Sequence, residues 1–141
     1  SLKKDLNIFV PGKYEGRFKK KFPEAEVICV NEQVEIDSNV YSSGEFGDHM
    51  REQALFLKTA DDKIILLSGC AHPGLEKFIV KAKDMGEIIA IIGGFHGFNK
   101  YSYLEGINSI GGCHCTQHTN TIKEKYPEQF KQVCVGDKLS F

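Results

Sequence analysis

The sequence predicts an α/β fold built on a mixed sheet, and three observations predict it. Residues 52–59 and 64–67 are two apolar strands joined by the polar turn Ala60-Asp-Asp-Lys63, which reads as an antiparallel hairpin. Residues 64–67 then break at Ser68-Gly69 and lead into Leu75, Phe78, Ile79 and Ala82, apolar residues at helical spacing. Residues 87–92 follow as a continuous apolar run, the pattern of a strand buried on both faces.

Taken in order, residues 6–10 read as a short strand, and Pro11-Gly12 turn the chain. Residues 13–22 read as a helix that stops before Pro23. Residues 26–30, 33–36 and 40–43 are three further strand patterns, the last ending at Gly44. The stretch 43–51 is loop-like, with two glycines and mixed charge, and Glu52 opens the strong strand 52–59. Pro73 suits the first position of the helix 73–85, because the N–H it lacks has no partner there, and Gly86 suits its end. Residues 101–108 read as a short helix, 108–110 as a strand, and 117–126 as a helix closed by Pro127. Strands at 132–135 and 138–141 flank Gly136-Asp137. Hairpins come first and strand–helix–strand units second; one domain covers residues 1–141, and there is no internal repeat. The chain opens inside a strand pattern with no capping element, which points to a partner segment on the N-terminal side.

Composition narrows the function classes. Hydrophobic residues make up 41%, enough for a core, and the net charge of −1 offers no field for nucleic acid. Lys19, Lys20 and Lys21 read as a solvated helix face. No apolar stretch reaches the roughly 20 residues that span a bilayer, and no secretory signal is visible. Five cysteines at irregular spacing do not make a disulfide framework, so the reading is a reducing cytoplasm.

The chemistry gathers where strands end. Gly69-Cys-Ala-His72, Gly93-Gly-Phe-His96 and Gly111-Gly-Cys-His114 each place a histidine just past the end of a strand pattern. Glycine permits a sharp turn and close backbone approach, and a neutral imidazole suits zinc, iron, manganese or nickel. Three such ends on neighbouring strands can converge on one point. His49 and His118 read as solvated or peripheral. Cys70 and Cys113 are either thiolate ligands or packing residues; Cys29 and Cys134 read as core. Cys113-x-Cys115 is tighter than a zinc knuckle or a redox Cys-x-x-Cys. Glu45 and Asp48 read as solvated loop acids, whereas Glu52, next to a strong strand, is placed to act as a base or to complete a metal site. There is no phosphate loop, dinucleotide fingerprint or Gly-x-Ser-x-Gly elbow.

The ordered set Tyr41-Ser-Ser-Gly-Glu45, Glu52-Gln-Ala-Leu55, Leu67-Ser-Gly-Cys-Ala-His-Pro-Gly74, Ile92-Gly-Gly-Phe-His96 and Cys113-His-Cys-Thr116 resembles a branch of the metallo-β-lactamase superfamily. The branch is named for dihydropterin ribofuranosylaminobenzene 5′-phosphate synthase, and many members are called metal-dependent hydrolases. The resemblance runs from about residue 6 to residue 141 and covers the second half of an αββα sandwich, a mixed sheet with helices on one side. The first-half signature His-x-His-x-Asp-His is absent, since no two of the five histidines are separated by one residue. The resemblance implies metal ligands at His72, His114 and, behind them, Cys70, with His96 and Glu52 as catalytic or substrate-contacting residues. It implies a divalent cation, zinc first and iron or manganese next, activating water against an ester or phosphoester of a small molecule. It also implies that this chain by itself is inactive, and that it pairs with a second copy or with the missing N-terminal half. The alternative is a half-domain that mediates association and holds metal only weakly.

Overall fold

A computed structural model describes residues 6–141 and shows a mixed α/β architecture. β1 (Asn7–Val10) leads through a 3-10 turn at Gly12–Tyr14 into α1 (Glu15–Lys21) and back to β2 (Glu26–Cys29), which lies parallel to β1 as a separate two-stranded sheet. The main sheet has seven strands in sequence order: β3 (Val34–Asp37), β4 (Val40–Ser42), β5 (Leu55–Lys58), β6 (Ile64–Ser68), β7 (Ile88–Gly93), β8 (Ser109–Gly112) and β9 (Phe130–Gln132). Pairs from β3 to β6 are antiparallel and those from β6 to β9 parallel. The hairpin and the strand–helix–strand units of the sequence are therefore both present, joined at β6.

One cross-strand row explains the core. Tyr41, Phe56, Leu66, Ile91, Ile110 and Phe130 are register partners across six strands. Phe56, Leu66, Ile91 and Ile110 are fully buried. Onto this row pack α2 (Leu75–Lys83), through Leu75, Phe78, Ile79 and Ala82, and α3 (Thr119–Lys125), through Ile122. Phe46 meets Phe78 edge to face at 5.3 Å between centroids. The next row, Leu55, Leu67, Ile92 and Gly111, faces the other way because strand side chains alternate. Its three aliphatic side chains are only half-buried. Over one end of that row stands the β1–α1–β2 unit, with an apolar cavity of about 700 Å³ between Phe9, Phe18 and Phe22 on one side and Leu55 and Leu67 on the other. So α2 and α3 share one side of the sheet, but α1 stands over the opposite face, which corrects the expectation of helices on one side only.

Several boundaries differ from the sequence reading. β5 starts at Leu55, and Glu52 instead forms an isolated antiparallel bridge with Phe46. Pro73 precedes the helix; Gly74, at φ 107°, is its N-cap, since that left-handed conformation favours glycine. Residues 101–108 contain only a 3-10 turn, Tyr101–Leu104. β9 lies two residues earlier than expected, where Phe130 completes the buried row, and residues 138–141 form no strand. Cys134 is exposed rather than core. No helix among the described residues is long and apolar enough to cross a membrane.

Candidate metal-binding centre

The site follows from topology. β6, β7 and β8 run parallel and adjacent, so their carboxyl ends lie side by side. Open α/β sheets place their ligand sites outside such ends. The ends are tied to one another: Gly94 N–H donates to the Gly69 carbonyl at 3.0 Å, Cys113 N–H to the Gly93 carbonyl at 2.8 Å, and Gln117 N–H to the His96 carbonyl at 2.9 Å. The Thr116 hydroxyl accepts from Phe95 N–H at 3.2 Å, and Ser68 Oγ–H donates to the Gly94 carbonyl at 2.9 Å. Fully buried Phe95 anchors the middle segment in the core.

Two glycines make this closeness possible. A Cβ at Gly93, whose φ is 139°, would fall 2.1 Å from the Ser68 carbonyl oxygen. A Cβ at Gly94 would lie 2.4 Å from Cys115 Sγ and 2.5 Å from the Gly69 carbonyl oxygen. Ala71 (φ 57°) and His96 (φ 43°) also adopt left-handed backbone, uncommon for residues with a side chain. Such strain persists where the surroundings over-determine it, and it concentrates at functional sites.

Two groups of side chains result. In the first, Cys70, His114 and Cys115 bring their donor atoms within 4.8 Å of one another. Cys70 Sγ stands 3.3 Å from His114 Nε2, and Cys115 S–H donates to the Cys70 carbonyl at 3.7 Å. Burial, and then the neighbouring Cys115 sulfur, push the Cys70 thiol above its ordinary value. In the second group, the Glu52 carboxylate accepts from His72 Nδ1 and, at 3.3 Å, from the His72 backbone N–H. The His96 ring lies next to that of His72, with centroids 4.6 Å apart. Arg51, Glu52, Tyr14 and Cys70 line a common cleft of about 390 Å³.

All five expected site residues thus lie at one end of the sheet, but the three histidines do not share a point. His114 joins Cys70, whereas His72 pairs with Glu52 and lies beside the His96 ring. Cys115 was missed. The Cys113-x-Cys115 spacing is too tight for a zinc knuckle or a redox pair, and a turn closed by Thr116 N–H to the Cys113 carbonyl (2.9 Å) follows Cys113. Cys113 lines a cavity with His114, Val133 and Cys134, and burial raises its thiol. The adjacency of Cys115 to His114 was the available signal. Glu45 is not a solvated loop acid: its side chain is only 17% exposed, Arg51 donates to its Oε1 at 3.2 Å, and its Oε2 is buried with no partner among the described residues. His49 and Asp48 are exposed, as expected, and His118 stacks edge-on against Tyr101.

The donor set suits a soft or borderline divalent cation. Two cysteine sulfurs and one imidazole are a group that could hold a metal ion, and the missing Cβ of Gly94 leaves room beside the Cys115 sulfur.

No family model matches the chain. The chain is similar to the 7,8-dihydropterin-6-methyl-4-(beta-D-ribofuranosyl)-aminobenzene-5'-phosphate synthase of Methanocaldococcus jannaschii, with 25% identity over 109 residues that cover 67% of this chain and 37% of that protein. This chain therefore spans little more than a third of the length of the curated relative it matches.

Proposed function

We propose that this chain is the second-half portion of a metal-dependent hydrolase of the metallo-β-lactamase type, acting on an ester or phosphoester of a small molecule. The observation that carries the reading is the meeting of Cys70, His114 and Cys115 at the carboxyl ends of β6 and β8, next to the Glu52–His72 pair. Similarity to an enzyme, a synthase of which the chain matches only part, supports a catalytic context larger than this chain.

Cys70, His114 and Cys115 hold the cation, with zinc favoured over iron or manganese because two of three donors are sulfur. When bound, the cation supplies an acidified water and a polarised carbonyl or phosphoryl oxygen. The protein's own groups do the rest. Glu52 occupies Nδ1 of His72 and so fixes its tautomer, which leaves the lone pair of Nε2 free to bind a ligand or accept a proton. His96, packed against the His72 ring, is the neighbouring group for holding a proton or contacting substrate.

Elemental analysis of the purified chain tests the metal reading: zinc near one equivalent is expected, lost in a His114→Ala variant. A metal-free parent that also takes up no added zinc refutes it. Hydrolysis of a nitrophenyl ester and a bis-nitrophenyl phosphodiester, by this chain with and without the remainder of the enzyme, tests the catalytic reading; activity only in the combined sample is expected.

A second reading rests on the other sheet face. Half-buried Leu55, Leu67 and Ile92 form an apolar row that the β1–α1–β2 unit covers only at one end. An incompletely covered apolar face favours association, either with a second copy or with an N-terminal half. On this reading the chain is an association module, and the cysteine–histidine group binds metal only weakly.

A further inference from the structure

We infer that Cys70 and Cys115 are a redox pair that closes to a disulfide, and that this disulfide and a bound cation exclude each other. The cation half rests on the metal reading above; the thiol half does not.

Geometry separates this pair from the other cysteines. The two sulfurs lie within 4.8 Å of each other, and Cys115 S–H points at the backbone carbonyl of Cys70 itself. A disulfide needs the sulfurs at about 2.05 Å, so rotation of the two side chains and a small loop adjustment must cover the remainder. Cys70 sits in the irregular segment between β6 and α2, which holds the left-handed Ala71 and Gly74 and no regular hydrogen-bond ladder to break. Glycine at 94 leaves the space beside Cys115 free, where a Cβ would stand 2.4 Å from its sulfur. Both cysteines are half-buried, and Cys70 borders the cleft lined by Tyr14, Arg51 and Glu52, so a small oxidant has a route in. Of the other three, Cys113 and Cys134 line a cavity shared with His114, Cys113 falls outside the group of donor atoms within 4.8 Å of one another, and Cys29 ends β2.

The step balances with a peroxide as oxidant. One sulfur attacks hydrogen peroxide, the O–O bond breaks, and a sulfenic acid and one water form. The second sulfur attacks the sulfenyl sulfur; the departing hydroxide takes its proton and leaves as a second water. Two thiols lose two electrons and two protons, and the peroxide is reduced to two waters. The disulfide sulfurs no longer carry the thiolate charge that ligation needs, so of three donors only His114 remains. In the other direction, a cation that ligates both sulfurs keeps them from bonding to each other.

Peptide mapping of the metal-stripped full chain, treated with stoichiometric hydrogen peroxide and digested with trypsin without reductant, tests the pair. Peptide 64–77 carries Cys70, and peptide 101–123 carries both Cys113 and Cys115. The linked pair of peptides is expected in the parent and in Cys113→Ser, absent in Cys115→Ser and in Cys70→Ser, and abolished by dithiothreitol. A link that survives in Cys115→Ser, a Cys113–Cys134 link in its place, or sulfinic acids with no link overturns the assignment. Zinc uptake then tests the exclusion: a fall of roughly tenfold or more in the oxidised parent, restored by dithiothreitol, is expected. Unchanged uptake after oxidation overturns the exclusion. A reduced parent that never takes up zinc overturns the metal reading and the exclusion together, while the disulfide still stands or falls on the peptide map.

Discussion

Cys70 Sγ lies 3.3 Å from His114 Nε2 although 44 positions separate the two residues in the chain. They meet because β6 and β8 both flank β7 and run parallel to it, so whatever follows each strand emerges at the same end. His114 is exposed, and its removal leaves the core untouched. His114→Ala is therefore expected to weaken zinc binding by roughly tenfold to a hundredfold or more, with a stability change within about 0.5 kcal/mol. Competition against a chromophoric chelator reads the first, and a urea melt the second; unaltered zinc affinity removes His114 from the ligand set.

Gly94 tests how much of the site depends on backbone closeness. In Gly94→Ala the new methyl would stand 2.4 Å from Cys115 Sγ and 2.5 Å from the Gly69 carbonyl oxygen, which is backbone and has little room to yield. Overpacking of this kind costs about 1–3 kcal/mol, to be read as a lower urea midpoint. Zinc affinity should fall alongside. A variant with the parent midpoint and affinity shows that β6 and β7 separate easily.

Phe78 is the centre of the helix-side core. It is fully buried, and Phe46 meets it edge to face. Phe78→Ala is expected to lose about 3–5 kcal/mol, enough to consume much of the stability of a chain this size. Circular dichroism on denaturant titration measures it, and a loss under 1 kcal/mol contradicts the packing described.

Tyr126 gives the alkaline limb of stability a sign. Burial raises its phenol above the ordinary value, and its O–H donates to the Tyr101 carbonyl at 2.6 Å. The unfolded chain then releases this proton before the folded one does. Its contribution is fully present below the ordinary phenol range and declines as pH rises through that range to the higher folded value. Tyr126→Phe should cost about 1 kcal/mol at neutral pH and flatten the decline above about pH 10. Urea melts across that pH range check both parts; equal slopes in parent and variant would exclude Tyr126 as the cause.

The half-exposed row of Leu55, Leu67 and Ile92 leads to the last expectation. Light scattering should show the mean mass rising with concentration, and Leu67→Asp should suppress the rise. A strict monomer at the highest attainable concentration counts against association through this face.

Much of the fold was legible from pattern alone. The run 64–67, its glycine break and the helical spacing of Leu75, Phe78, Ile79 and Ala82 defined β6 to within one residue and α2 to within two at each end, because burial on one face enforces periodicity. The ends of the chain were less legible. Residues 138–141 look apolar enough for a strand yet have no strand partner among the described residues, and pairing is not a property of the segment that pairs. Glu52 fell outside the strand assigned to it because the bridge to Phe46 turns the chain before β5 begins.

The sequence by itself determined which chemistry is available: three glycine–histidine strand ends, with cysteine beside two of them, and the periodic apolar faces that put those ends on one sheet. Only the tertiary structure decided how they are shared out. Turn geometry brings Cys115, not Cys113, into one group with Cys70 and His114, while His72 pairs with Glu52 and lies beside the His96 ring. Such choices depend on side-chain direction at distances of a few ångströms between strands dozens of residues apart. That direction is set by packing and cross-strand register, which no local pattern encodes.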